Sequence, residues 1–279
     1  MTLIGSDLRT GGSLREGLPL ALRAALGHLA ARRPDLPLDV QWFDTVESTM
    51  NVTAAAAADG AAAGRIVIAD QQTAGRGRRG HAWISPPGAG LYFSYLARPA
   101  RHVELITHAA GVGVRDGIAA ATGLLAELKW PNDLLAGSRK LAGLLAEGQH
   151  LSTPEASVVI GVGVNVAPAA YPSEVALRAT NLESETGCEI SRFNVFAAVL
   201  EHLADALRVL DAGNAGDILR RWREASPLAV GATVRWVKDG VEERGVTAGI
   251  DDSGALLVRT SSAIERVIAG ELHWELPDS

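Results

Sequence analysis

Residues 65–83 read RIVIADQQTAGRGRRGHAW. The apolar run at its start predicts a strand over Arg65–Gln72, and a second strand is expected over Leu91–Arg98. Between them, Thr73–Ala82 forms a loop in which Arg76, Arg78 and Arg79 alternate with Gly75, Gly77 and Gly80, and Trp83 closes it. Glycine lets backbone N–H groups approach a ligand closely and permits φ > 0. Three guanidiniums within four residues repel one another unless an anion compensates them. The unit therefore reads as strand, cationic lid, strand, with a phosphate or carboxylate as the partner of the lid. The competing readings are an exposed hinge or an RGG-type RNA contact. RGG contacts come as repeats in disordered segments, whereas this is one copy between strands.

The rest of the chain supports the anion reading. Its 279 residues are 47% apolar, enough for one sizeable core and a small second domain. The net charge of −6 argues against a general nucleic-acid binder and makes the Arg-Gly loop a local cationic spot. Lysine occurs only at Lys129, Lys140 and Lys238; every other strong base is Arg. A lysine kept in such a chain points to a site that needs a compact ammonium. The single cysteine, Cys188, excludes an intrachain disulfide framework and suits a reducing, cytoplasmic setting. The N-terminus lacks signal-peptide architecture, and the Ala-rich stretch at 54–63 is interrupted by Asp59 and Gly60, so no membrane segment is expected.

Residues 1–12, rich in Gly, Ser and Thr, are expected to be mobile. A helix is expected over Pro19–Arg33, with Leu22, Leu26 and Leu29 on one face, then a strand at 38–44. Ser48 reads as the N-cap of a helix that runs to Asp59 and stops at Gly60. A long helix follows at about 103–122. Strands are expected at 125–130, 140–148 and 156–165, the last apolar enough to be buried on both faces. Phe193, Phe196, Leu200, Leu203, Leu207 and Leu210 recur at helical spacing and predict a helix over 192–211, followed by a short one at 215–225. After Ser226-Pro227, short strands at 232–238, 241–250, 255–260, 263–269 and 272–276 alternate with turns such as Asp239-Gly240 and suggest a small β-barrel. The expected architecture is α+β: an extension with one helix (1–37), a mixed-sheet catalytic domain flanked by helices (38–226) and the barrel (227–279).

Other segments carry candidate chemistry. Lys129-Trp130-Pro131-Asn132-Asp133, followed by Arg139-Lys140-Leu141-Ala142-Gly143, reads equally as a β-hairpin or as a reaction site. In the second reading Asp133 binds Mg²⁺ at a triphosphate and the hairpin returns Lys140 beside the reacting anions. Gly161 and Gly163 inside the strand ending at Asn165 mark close approach of a ligand or simply tight sheet packing. Ser48-Thr49 can cap a helix and bind a polar group at once. The seven histidines show no metal-ligand spacing, and neither a nucleophile elbow nor a Walker-type loop is present.

Taken together, Glu47-Ser48-Thr49, Q-T-A-G-R-G-R-R-G-x-x-W at 72–83, K-W-P-N-D at 129–133, R-K-L-A-G-L-L-A-E at 139–147 and I-G-V-G-V-N at 160–165 closely resemble biotin–protein ligases. Residues 249–258, GIDDSGALLV, resemble that family's small SH3-like barrel. The resemblance covers about residues 38–276. It implies activation of biotin with ATP to biotinyl-5′-AMP and transfer to a lysine of a biotin carboxyl carrier domain. By position it implies a biotin pocket of Ser48, Thr49, Met50, Gln72, Arg76, Gly77, Arg78, Lys140, Gly143, Leu145 and Gly161. It further implies an adenylate site of Arg78, Arg79, Trp83, Asn132, Lys140 and Asn165. Lys140, Arg76, Arg78 and Asp133 become the catalytic set, with Asp133 also the Mg²⁺ ligand or the base of the transfer step. Met50 stands where the family commonly has Asn or Asp. The leader before residue 38 is too short for the winged-helix DNA-binding domain of the bifunctional members, so a monofunctional ligase without direct DNA binding is expected, as a monomer or a homodimer. The rival readings are a lipoate or octanoate ligase of the same fold and a nucleic-acid-binding regulator.

Overall fold

A computed structural model of the chain describes residues 17–151, 153, 155–238, 241–268 and 272–275. The 1–12 segment, the Asp239-Gly240 turn and residues 269 and 276 of the expected strands lie outside them. In chain order the first unit holds α1 (Leu20–Arg32), β1 (Asp39–Val46), α2 (Thr49–Ala58), β2 (Arg65–Gln72), β3 (Gly90–Ala97), α3 (Ile106–Thr122), β4 (Glu127–Lys129), β5 (Asp133–Ala136), β6 (Arg139–Gln149), β7 (Ser157–Asn165), α4 (Ser173–Ala176), α5 (Leu182–Thr186), α6 (Arg192–Asp211) and α7 (Ala215–Glu224). Seven strands form one sheet in the order β1-β2-β3-β7-β6-β5-β4. β1 and β2 are parallel and the remaining neighbours antiparallel, so the sheet is mixed, as expected.

The central strands β3 and β7 are buried along their whole length, which explains their unbroken apolar runs. Their alternate residues serve two layers. Phe93, Tyr95, Val158 and Ile160 join the large core under α3 and α6, while Leu96 and Val159 face Met50 and Ala57 of α2. The edge-to-face pair Phe93–Phe196, 5.2 Å between centroids, locks α6 to the sheet. The glycines of α3 let α6 approach closely: a Cβ on Gly113 would fall 2.6 Å from Leu203 Cα. Leu22, Leu26 and Leu29 of α1 are fully buried in the same core, and Arg33 pairs with Asp205 of α6 at 2.9 Å.

Two expectations need correction. The turn after β4 covers residues 130–132, and a strand not expected from the sequence, β5, leaves it; β5 pairs with β4 and β6, and Asp133 is its first residue rather than part of the turn. Four residues are too short to show a period. The side chain of Ser48, at the N-cap position of α2, makes no capping hydrogen bond.

The second unit consists of β8 (Val230–Lys238), β9 (Val241–Ile250), β10 (Leu256–Arg259), β11 (Ile264–Val267) and β12 (His273–Glu275). They form an antiparallel sheet in the order β11-β10-β9-β8-β12, compatible with a small SH3-like domain. Among the described residues no helix is long and apolar enough to cross a membrane.

Candidate active site

The register of the large sheet leaves a gap in its α2 face. Gly143 of β6 pairs with Gly163 of β7, and Leu145 pairs with Gly161, whose other neighbour is Ser94 of β3. Paired residues share a face, so Gly143, Gly161 and Gly163 lie side by side with no side chains to fill the space. Larger groups use it instead. A Cβ on Gly161 would fall 2.7 Å from Met50 Sδ, and one on Gly163 would overlap the Trp83 ring. A cavity of about 230 Å³ opens over this floor. Ser48, Thr49, Met50, Gln72, Arg76, Gly77, Arg78, Arg79, Trp83, Asn132, Asp133, Lys140, Gly143, Leu145 and Gly161 all line it, so every predicted site residue but one meets there.

The exception is Asn165. It is buried and does not line the cavity; Nδ2 donates to Thr180 O at 2.9 Å and, more weakly, to Lys140 O at 3.4 Å, and Oδ1 accepts from Tyr171 at 3.3 Å. Its amide braces the segment after β7.

One part of the cavity is polar and uncharged. Thr49 N and Oγ1 donate to Gln72 Oε1 at 2.9 and 3.2 Å, Thr49 Oγ1 lies 2.7 Å from Ser94 Oγ, and Gln72 Nε2 donates to Ser85 Oγ at 2.9 Å. Ser48 Oγ is buried without a hydrogen-bond partner. A buried hydroxyl left unsatisfied costs free energy, and a ligand that accepts from it recovers that cost. Met50, 3% exposed, supplies apolar surface beside this network.

The other part is cationic. Lys140 Nζ lies 2.6 Å from Asp133 Oδ1 and 5.4 Å from the Trp83 ring centroid. Burial, and then Arg79, pull the Arg78 guanidinium below its ordinary value, while Asp133 opposes them. Burial likewise lowers Lys129, with Asp133 opposing and Lys140 and Arg178 adding to the shift. Such a cluster favours an anion, which relieves both the repulsion and the desolvation of the cations. Trp83 Nε1 is a further buried donor without a partner.

The Arg-Gly loop is a tight hairpin. Trp83 N donates to Gly75 O at 2.8 Å and Gly77 N to His81 O at 2.7 Å. Left-handed backbone falls on Arg79 (φ 56°) and Gly80 (φ 77°) rather than on Gly75 or Gly77. Gly75 is needed for space, since a Cβ there would sit 2.9 Å from Ser85 Oγ. Arg76 reaches Glu147 of β6 at 2.9 Å, an ion pair that ties the loop to the sheet.

Lys129, Leu272 and Trp274 also line the cavity. Trp274 lies on β12 of the second sheet and Leu272 just before that strand, more than a hundred residues from the other lining segments. No local pattern marks them. Among the described residues no group of three or more His, Cys, Asp or Glu could hold a metal ion by itself.

Known proteins resemble the chain over most of its length. The Biotin/lipoate A/B protein ligase family model matches residues 42–165. The biotin–[acetyl-CoA-carboxylase] ligase of Mycobacterium tuberculosis is 34% identical, over 75% of this chain and 78% of that one. That of Paracoccus denitrificans is 31% identical, over 80% and 96%. The bifunctional ligase/repressor of Bacillus subtilis is 33% identical, over 83% and 72%. Biotin protein ligase from Aquifex aeolicus in complex with biotin and ATP superposes with a TM-score of 0.74 at 27% identity, over 85% of this chain and 98% of that one. The chain belongs to the biotin–protein ligases of the biotin/lipoate A/B protein ligase family.

Proposed function

We propose that this protein joins biotin and ATP into biotinyl-5′-AMP and then passes biotin to a lysine amine on the carboxyl carrier domain of a biotin-dependent carboxylase. One observation carries the reading: the network of Ser48, Thr49 and Gln72 and the cluster of Arg78, Lys140 and Asp133 open into a single cavity over a glycine floor. Residues 38–226 form the catalytic unit on this reading, with α1 of the 1–37 extension packed on it and 227–279 as a second unit. The relatives named for acetyl-CoA carboxylase support that class of acceptor.

The ureido ring of biotin suits the polar part, where Ser48 Oγ and Gln72 can exchange hydrogen bonds with it. The valerate carboxylate then points towards Lys140. In the first step a carboxylate oxygen attacks the α-phosphorus of ATP, a new O–P bond forms, and the bond to pyrophosphate breaks. Two anions must meet, so Lys140, Arg76 and Arg78 act by offsetting repulsion and by stabilising the charge that builds on the phosphoryl oxygens. Trp83 offers a flat face for the adenine, and Arg79 and Asn132 border the same region. Mg²⁺ fits through one carboxylate, Asp133, together with nucleotide phosphates, the mode usual for this ion. When bound it neutralises phosphate charge. In the second step the lysine amine attacks the acyl carbon, a C–N bond forms, AMP leaves, and Asp133 stands where it can take the amine proton. The mixed anhydride is prone to hydrolysis, and the hairpin over it limits the access of water.

Biotin-dependent exchange of labelled pyrophosphate into ATP tests the reading. Exchange with biotin is expected; exchange with lipoate or octanoate in its place refutes it. A salt-sensitive shift of duplex DNA by the purified protein supports the regulator instead.

A further inference from the structure

The second sheet grips the K-W-P-N-D motif at two adjacent residues. Trp130, 2% exposed, donates from Nε1 to Gly254 O at 3.0 Å, and Lys129 Nζ lies 5.5 Å from the Trp274 ring centroid. The turn that presents Gly254 is braced from within. Asp251 Oδ1 accepts from Ser253 N at 2.9 Å and from Ala255 N at 3.0 Å, and Gly254 N donates to Asp251 O at 3.1 Å. Gly254 itself takes φ +79° and lies against His108 of α3: a Cβ there would fall 2.9 Å from His108 Nδ1. His108 packs edge-on against Trp222, 5.2 Å between centroids. The turn is thus seated on two elements of the first unit and offers one carbonyl to one indole.

One residue beyond Trp130 and Pro131 the chain becomes catalytic. Asn132 O accepts from Leu144 N at 2.9 Å, and Asp133 holds Lys140. β5 follows at once, so the turn cannot shift without moving Asp133 and the pairing of β5 with β6.

We propose that Trp130 is a positioning residue for the Asp133–Lys140 pair, anchored across the interface by the carbonyl of Gly254. The proposal rests on the function given above for this cavity. Reacting groups displaced by about 1 Å lose up to about 100-fold in rate, so an anchor of this kind acts on the adenylation step. The ureido end of biotin is met by α2 and β2, which take no part in the junction, so biotin affinity should change less than the adenylation rate.

The test is Trp130→Phe, which keeps a ring and deletes the N–H. Biotin-dependent pyrophosphate exchange is expected to lose about tenfold in kcat, with the biotin Kd changed less than about twofold. Hydrogen exchange at the Leu144 amide should quicken, because its acceptor on Asn132 is loosened. Gly254→Ala, which drives a Cβ into the His108 ring, should give the same pattern from the other side, and it carries the test if the tryptophan variant does not fold. Wild-type kcat with an unchanged Leu144 amide overturns the proposal. So does an equal loss of biotin binding and adenylation, which marks general damage. If the wild-type protein shows no biotin-dependent exchange, the function assigned to the cavity fails, and the Leu144 amide alone then decides whether the anchor exists.

Discussion

His108 should make the protein lose stability in mild acid. Its imidazole is buried between Trp222 and the Gly254 turn, and neither ring nitrogen reaches a well-formed hydrogen bond. Burial pulls its pKa down from 6.5 to about 4, with the Gly254 backbone and Asp251 opposing only in part. The folded state therefore resists protonation while the unfolded chain accepts it. A base whose folded pKa is depressed contributes stability that is complete above the unfolded value and is lost as pH falls through the window from 6.5 to about 4. Two-state linkage over that window gives a loss of about 2 kcal/mol between pH 7 and pH 5, rising to about 3 kcal/mol below pH 4. For a domain of ordinary stability this is a large fraction of the total. Asp251 does not interfere. Burial works against it, but hydrogen bonds from Ser253, Arg266 and the backbone hold its carboxyl at about 2, so its contribution is lost only as pH drops below the ordinary aspartate range. The assay is urea unfolding of the wild-type protein and of His108→Phe at pH 7 and pH 5. Phenylalanine keeps the edge-on contact with Trp222 and cannot titrate. The wild-type protein should lose about 2 kcal/mol more than the variant on acidification. Equal losses in the two proteins refute the reasoning.

Other substitutions address the cavity. Lys140→Ala should lower adenylate formation about 100- to 1,000-fold, as for the removal of one oxyanion-hole donor. Its stability should change by no more than about 1 kcal/mol because the pair with Asp133 is partly exposed; pyrophosphate exchange and urea unfolding check the two parts. Arg78→Gly should open the hairpin and release biotinyl-adenylate, so that lysines of bystander proteins become labelled on a streptavidin blot; normal turnover without such labelling counts against the lid. Gly163→Ala places a Cβ against the Trp83 ring and should cost about 1–3 kcal/mol while raising the KM for ATP. Thr49→Val removes a hydroxyl from the Gln72–Ser94 network and should weaken biotin binding about tenfold, by isothermal titration, with the KM for ATP unmoved.

The elements read correctly from the sequence are those whose cause is local. Helix 192–211 follows from an apolar face at helical spacing, and the 157–165 strand from an apolar run buried on both sides. The five short C-terminal strands follow from turn residues between them. β5 was missed because four residues between two turns carry too little pattern. Ser48 reads from the sequence both as a helix cap and as a polar contact for a ligand; in the fold it holds the N-cap position, but its hydroxyl makes no capping hydrogen bond and Ser48 lines the cavity. The family resemblance implies a place for Asn165 at the adenylate. In the fold its amide is taken by Thr180 and Tyr171, which lie beyond the strand in a segment of no regular pattern.

Composition and motif order alone were enough to establish a cationic loop on an acidic chain, a mixed α+β architecture and a lysine that a short hairpin returns towards an aspartate, since each depends on residues close in sequence. Tertiary structure decided how those pieces meet. Pairing of β6 with β7 sets Gly143 beside Gly163 and Leu145 beside Gly161, and a slip of one residue would turn every one of them to the opposite face. The same long-range packing brings Trp274 to Lys129, Gly254 to Trp130 and Glu147 to Arg76. Such contacts depend on distances that folding creates between remote segments, and no local preference of either segment encodes them.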